Sequence, residues 1–473
     1  MQTLSYQTML KWPLTALLLL GLSGCAAAPS EPAENANNQP HEDVVTLTVA
    51  VQDYTEWKAL DVAIGQYEQD HPGIRIELTR LPGDRYDEFL HMMMTSGQGP
   101  DLFHASTEWI STYLYKNWLL DLSEWVEPDV LTDYPDWAVD YTRENSRFYA
   151  IPSEASTLRL VYNKELFLRA GLDPEQPPAT LDELVNYAAN ISRAGQGYRI
   201  YGFALPAGEN GPLQQALEAG STRSGRYYYR YRDGSYDFTV YVPWFERMLD
   251  MKQQGGMFPG ETSLSMNTAL TQFAEGNIGM MHMTNREYAA LLSMMENQSQ
   301  LGVALPPVYG SEHGDAGALM LTLQAPLAVH NHTLHKEEAV GLWQALHASI
   351  YREQLLEEGF SIPLQRQASP ERIRSDYALS EFQPGPGESP YPQEPNFIME
   401  NRAASGLIQP GGASRIKVYK DVLLGVEPPQ EALSALTEQY NRSLENAVYR
   451  GLINREHFVY PDFDPLHPMV ETK

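Results

Sequence analysis

Between Thr46 and Ala105 the hydrophobic period of the chain switches repeatedly between that of a strand and that of a helix. Thr46-Leu47-Thr48-Val49-Ala50-Val51 alternates and carries β-branched residues, which predicts a first strand. Trp57, Leu60, Ile64 and Tyr67 then recur at helical spacing until His71-Pro72-Gly73 turns the chain. Ile74, Ile76 and Leu78 alternate again, and a helical run through Tyr86, Phe89, Leu90 and Met93 stops at Gly97. Asp101-Leu102-Phe103-His104-Ala105 predicts a third strand. Helices of this length between strands act as crossovers, so an α/β fold with a mainly parallel, helix-covered sheet is expected.

The pattern resumes further on. Leu158, Leu160 and Tyr162 mark a strand, Asn163 is placed to cap a helix, and Gly171 stops it. Thr180-Leu181-Asp182-Glu183 is a capping box that opens a helix with the stripe Leu184, Tyr187, Ala188 and Ile191. From Tyr227 to Phe238, Asp233-Gly234 separates two aromatic runs and predicts a hairpin. A helix ending near Gly276 precedes a strand at Ile278-Gly279-Met280-Met281, and a terminal helix is expected from Gln430 to about Tyr449.

The net charge of −28 excludes a nucleic acid or an anionic membrane surface as the natural partner, since both need clustered Lys and Arg. Charged residues make up only 20% and aromatics 11%, which marks a folded chain. Roughly 430 residues after residue 43 are enough for two domains.

The first 24 residues hold one basic side chain, Lys11, and an apolar stretch from Leu14 to Leu22. This layout predicts a secretory leader rather than a membrane span, which takes about 20 apolar residues. Leu22-Ser23-Gly24-Cys25 resembles the bacterial lipobox, and that resemblance implies a lipid on Cys25, the only cysteine. With one cysteine an intramolecular disulfide is impossible. Residues 25–43, rich in Ala, Pro, Asn and Glu, read as a flexible tether.

PGIRIEL, SGQGPDLF, RFYAIP, LVYNKELFLRAGL, PPATLDELVNYA, QFAEGNIGMM and LGVALPPV, in that order and followed by a terminal helix, resemble the extracellular solute-binding proteins of carbohydrate-type ABC importers. FPGE at 258–261 is similar to a Gram-positive branch of that family. The resemblance implies a two-lobe fold of the type II periplasmic-binding class, with crossings near residues 152–157, 314–318 and 363–370. One lobe would hold residues 44–153 and 319–369, the other 154–318 and 370–473. It further implies a monomer on the outer face of the cell membrane that delivers a sugar to the permease subunits of an ABC importer, without cofactor or metal.

Candidate ligand residues follow from both readings. Asp53 and Tyr54 succeed the first strand, where open α/β sheets expose ligands, whereas Trp57 reads as part of the packing stripe. Ser106, Thr107, Glu108 and Trp109 follow the third strand; hydroxyls, a carboxylate and an indole suit the OH and C–H faces of a sugar, though a cap with a packed Trp explains them too. By resemblance, Glu154, Ser156 and Thr157 border the cleft at the first crossing, Glu209 and Asn210 occupy a loop that contributes contacts, and Asp315 lies at the second crossing. Where the family often carries a stacking Trp, this chain has Met283-Thr284-Asn285-Arg286-Glu287, and the resemblance then implies a more polar or charged ligand contact through Asn285 or Arg286.

His330-Asn331-His332-Thr333-Leu334-His335 is read as a surface loop rather than a metal site, and the Tyr/Arg interleaving at 227–232 as a hairpin rather than a stacking platform for nucleic acid. The leading expectation is a binding module and not an enzyme. The rivals are a secreted glycoside hydrolase with a carboxylate pair, for which no pair is singled out, and a ligand-sensing lipoprotein without transport.

Overall fold

The computed structural model describes residues 44–468 except 54–57, 83–84, 107–108, 136–137, 140–141, 144–146, 310–317, 320, 324–325, 359–360, 366–377, 384–388 and 393–413. Cys25 and the tether therefore lie outside the described residues, as do Tyr54, Trp57, Thr107, Glu108 and Asp315. Among the described residues no helix is long and apolar enough to cross a membrane.

The first sheet is built from β1 (Val45–Asp53), β2 (Ile74–Pro82), β3 (Leu102–His104), β4 (Ala150–Ile151) and a strand from much later in the chain. β1 pairs in parallel with β2 and β3. The expected parallel arrangement is thus formed at the positions where the hydrophobic period switches. One face buries Leu47, Val49 and Val51 against Leu60, Ile64 and Tyr67 of the helix Ala59–Asp70 and Trp343 of the helix Lys336–Leu346. The other face buries Ala50 and Phe103 against Tyr86, Leu90 and Tyr113.

The second sheet centres on β5 (Glu154–Asn163), whose ten residues are all buried. With β6 (Tyr201–Ala204) and the hairpin β7 (Tyr229–Arg230) and β8 (Ser235–Tyr236) come β9 (Ile278–Thr284) and β10 (Leu301–Ala304). β5 lies between β9 and β10, antiparallel to both, and β6 pairs in parallel with β9. Its faces bury two further apolar clusters, one around Leu160, Phe203, Trp244 and Phe245, the other around Val161, Met281, Met283 and Phe273.

The chain continues through β11 (Ala318–Leu319), β12 (Leu321–Leu323), β13 (Leu327–Val329), β14 (Ile362–Pro363) and β15 (Ser389–Pro390). β13 closes the first sheet between β3 and β4. β12 and β14 pair antiparallel with residues 154–157 of β5, ahead of the stretch of β5 that belongs to the second sheet. These are the crossing segments of a two-lobe fold. The second pairs at 321–323, and the expected 314–318 falls almost wholly outside the described residues.

Two local features hold β5 in place. Arg159 of β5, only 2% exposed, donates to the carbonyl oxygens of Glu381 at 2.7 Å and Gln383 at 3.0 Å, and so clamps the segment Ala378–Phe382 onto the strand. Gly302 of β10 lies under the Tyr162 ring, where an added Cβ would sit 2.1 Å from ring carbon.

The tyrosine-rich stretch forms the expected hairpin, with Gly234 at φ 64°. Tyr228, Tyr229 and Tyr236 are buried, with Tyr228 stacked on Phe238, Tyr229 against Tyr236 and Tyr236 against Tyr440, so they offer no open stacking surface.

Candidate functional site

β9 ends at Thr284, which opens the helix Asn285–Met294 with a capping box. The Thr284 amide donates to Glu287 Oε2 at 2.6 Å, and the Glu287 amide donates to Thr284 Oγ1. A sequence of the form Thr-x-x-Glu thus places Asn285 and Arg286 in the first turn of a helix beside the start of β5.

There they meet the residues expected from the first crossing. The Thr157 amide donates to Asn285 Oδ1 at 3.2 Å, and the Thr157 hydroxyl donates to the Phe382 carbonyl at 2.6 Å. Arg286 Nη2 lies 3.7 Å from Glu154 Oε2. Ser156 is buried two residues along β5 from Glu154 and pairs across the ladder with Thr322. The structure therefore brings together Glu154, Ser156, Thr157, Asn285 and Arg286, drawn from stretches more than a hundred residues apart.

The carboxyl of Glu154 is pushed above the ordinary range by burial, and the Arg286 charge and the Tyr351 hydroxyl pull it back. Tyr351, on the helix Ser349–Glu358, donates to Glu154 Oε1 at 3.1 Å. His104 ends β3 on the first sheet, within electrostatic reach of Arg286. Burial first, and the Arg286 charge second, hold its imidazole down to about 3. It is neutral at physiological pH. The Tyr86 hydroxyl donates to the carbonyls of Ala50 and His104, which locks the ends of β1 and β3 together.

The other candidates have different surroundings. Asp53 is exposed at the C-terminal end of β1. Trp109 is half-buried, with its ring against His91 and Tyr113, and Ser106 adjoins Asp87, which accepts from Tyr113 at 2.7 Å. Glu209 and Asn210 are exposed but tied to neighbouring segments. Glu209 accepts from the Met266 amide at 2.8 Å, and Lys420 donates to Asn210 Oδ1 at 3.1 Å and to the Gly208 carbonyl at 3.0 Å. The Glu209 charge also reaches Glu287, next to Arg286, whose carboxyl is raised chiefly by burial.

Sequence reasoning did not single out His104, Tyr351 or Lys420. His104 was placed inside a strand, and nothing in the spacing of Tyr351 or Lys420 separates a polar tip at a junction from an ordinary helical residue. Among the described residues no group of three or more His, Cys, Asp or Glu side chains converges as for a metal, and His330 packs on Phe103 and His332.

A curated relative described as a probable amino-acid ABC transporter periplasmic-binding protein of Sinorhizobium fredii is 32% identical over 29% of this chain and 32% of its own length. The galactooligosaccharide-binding protein of Bacillus subtilis is 25% identical over 47% of this chain and 48% of its own. The chain thus spans half or less of the length of these two relatives. Among solved structures, the GacH receptor of Streptomyces glaucescens, crystallised unliganded and with acarbose, superposes with a TM-score of 0.69 at 17% identity, over 85% of this chain and 98% of that one. The likeness extends the fold to type II periplasmic-binding proteins. The model of the bacterial extracellular solute-binding proteins matches residues 53–345, well over half of the chain, and the chain belongs to that family of binding proteins.

Proposed function

We propose that this chain captures a sugar or oligosaccharide between its two lobes and delivers it to the permease of an ABC importer. The observation that carries the reading is the convergence of Glu154, Ser156, Thr157, Asn285 and Arg286 at the crossing strands between the two sheets, with His104 within electrostatic reach of Arg286. Clefts between domains are where small-molecule sites form. Donors and acceptors on these strands suit a polyhydroxylated ligand; the Bacillus subtilis relative is named for galactooligosaccharides, and the GacH receptor was crystallised with acarbose. Asp53, Ser106, Glu209 and Asn210 are proposed as outer contacts, along with Tyr54, Thr107, Glu108, Trp109 and Asp315. The lobes are assigned as residues 44–153 with 319–369, and 154–318 with 370–473.

We further propose that residues 1–24 are removed, that a lipid on Cys25 holds the protein on the outer face of a Gram-positive membrane, and that residues 25–43 act as the leash. A short tether keeps a receptor near its permease at high effective concentration.

Protein comprising residues 26–473 is to be screened by thermal shift against neutral oligosaccharides, acidic oligosaccharides and free amino acids. The reading expects a shift with an oligosaccharide and no product. A shift with amino acids alone, the ligand named for the Sinorhizobium relative, or turnover of a bound sugar would overturn it. Cys25→Ala is expected to move the protein from the membrane to the soluble fraction with ligand binding intact.

A further inference from the structure

The histidine-rich loop after β13 leaves the first sheet at the end away from the crossing strands. Leu327 pairs with His104 and with Ile151, just ahead of β5, whereas Val329, next to His330, pairs with Leu102 at the far end. The loop is anchored there. The His330 amide donates to the Asp101 carbonyl at 2.8 Å, the Asn331 amide to the Trp118 carbonyl at 2.8 Å, and the Thr333 hydroxyl to the Asp101 carboxylate. These bonds hold the His330 and His332 rings edge to face, with centroids 5.5 Å apart. Two imidazoles that share one metal ion at about 2.0–2.1 Å from nitrogen have centroids roughly 4.5–6 Å apart, so the spacing suits a shared ion. Among the described residues neither imidazole is engaged in a hydrogen bond.

A third donor arrives from another element. Met94 lies in the last turn of the helix Tyr86–Thr95, and a Cβ on Gly99 would sit 2.5 Å from its Sδ, 3.1 Å from His330 Cε1 and 3.4 Å from His330 Nδ1. The thioether and the ring thus border one gap, which exists because residue 99 has no side chain. We infer that His330, His332 and Met94 form a binding site for one soft monovalent cation of the copper(I) class. Imidazole and thioether donors without a carboxylate among them suit copper(I) and are poor for the oxygen-seeking magnesium and calcium. Histidines and carboxylates alone do not gather in threes among the described residues; the sulfur completes the set. The histidine triplet by itself reads as a surface loop, because Met94 joins it only in the fold. The net charge of −28 draws cations at longer range. The site lies apart from the crossing strands, so the inference is independent of the saccharide reading.

The test uses residues 26–473, which hold the whole described fold and no cysteine, so that no thiolate competes for the ion. Copper(I), kept reduced by ascorbate under nitrogen, is titrated against bicinchoninate as a coloured competitor, and silver(I) and zinc(II) are titrated by calorimetry. Wild type is expected to take up one tight equivalent of copper(I) and one of silver(I), and to bind zinc(II) about tenfold or more weakly than copper(I), because zinc gains less from a thioether. His330→Phe and His332→Ala should each weaken copper(I) by about 100-fold and Met94→Leu by about tenfold, the span seen when the shells around a metal are disturbed.

A wild type without a saturable copper(I) equivalent would overturn the inference. So would an equivalent that His332→Ala leaves intact, since the ion would then sit elsewhere. Copper(I) affinity unchanged in Met94→Leu, or zinc(II) bound as tightly as copper(I), would show that the imidazoles act alone and would remove the soft-cation assignment. If circular dichroism shows that His330→Phe fails to fold, His332→Ala, at an exposed ring, decides by itself.

Discussion

The backbone amide of Thr157 donates to the Asn285 carboxamide oxygen at 3.2 Å across 128 positions of sequence, tying the first crossing strand to the helix that carries Arg286. Both residues are buried, at 0% and 1% exposure, so water cannot replace the bond. Asn285→Ala is expected to cost roughly 1–3 kcal/mol of stability, the penalty of a buried donor left without an acceptor. Asn285→Asp keeps the acceptor and should recover much of the loss for this bond. Urea denaturation of the three proteins measures both, and equal midpoints for wild type and Asn285→Ala would refute the expectation.

Arg159 serves several carbonyl oxygens with one planar group. Arg159→Met should lower stability by roughly 3 kcal/mol, because the carbonyls of Glu381 and Gln383 lose a charged donor in the interior. Arg159→Lys should not restore it, since an ammonium cannot fork between the two positions. Chemical denaturation checks the pair, and a fully rescued lysine variant would show that charge alone holds the clamp.

His282 of β9 is 7% exposed, neither ring nitrogen has a hydrogen-bond partner, and burial lowers its imidazole to about 4 from 6.5. The unfolded chain therefore takes up a proton between those values that the folded chain refuses. The stability tied to neutral His282 is complete above pH 6.5 and is lost as pH falls towards 4, at up to about 1.4 kcal/mol per unit. Glu154 and Glu287 shift upwards and act in the opposite sense, so a single substitution isolates the histidine. His282→Phe should lose less stability than wild type between pH 7 and pH 5 in thermal melts; parallel losses would count against the assignment.

Gly202 of β6 leaves no room for a side chain. A Cβ there would lie 2.1 Å from the Ala188 carbonyl oxygen and 2.2 Å from its Cα, both backbone atoms of the helix Leu181–Ala194. Gly202→Ala should cost on the order of 1–3 kcal/mol through overpacking, read as a lower melting temperature. Gly211→Ala, where nothing lies within 4 Å, is the control and should leave the melting temperature nearly unchanged.

Much of the fold was legible in sequence because it is written in short-range periods. β1, β2 and the helix Ala59–Asp70 sit where Leu47, Ile74 and Leu60 placed them, and the capping box at Thr180 forms with both of its bonds. The gathering of Glu154, Asn285 and Arg286 was legible only through family resemblance, since no local period links positions so distant. The roles inside that cluster were not legible at all. Whether a carboxylate faces ligand or a guanidinium depends on burial and on partners such as Tyr351, which arrive from another part of the chain. Trp109 shows the converse: an indole placed for stacking on a ligand has aromatic neighbours of its own in His91 and Tyr113.

β5 pairs with β14 and β12 over its first residues and with β9 and β10 over the rest. The junction is a hydrogen-bonded ribbon rather than a loose loop. Such a ribbon behaves like a leaf spring: it yields through small changes of twist shared over many residues, and it resists sliding because a slip of one residue would reverse every side chain. A junction paired in this way can deform by twist far more readily than by slippage of its strands.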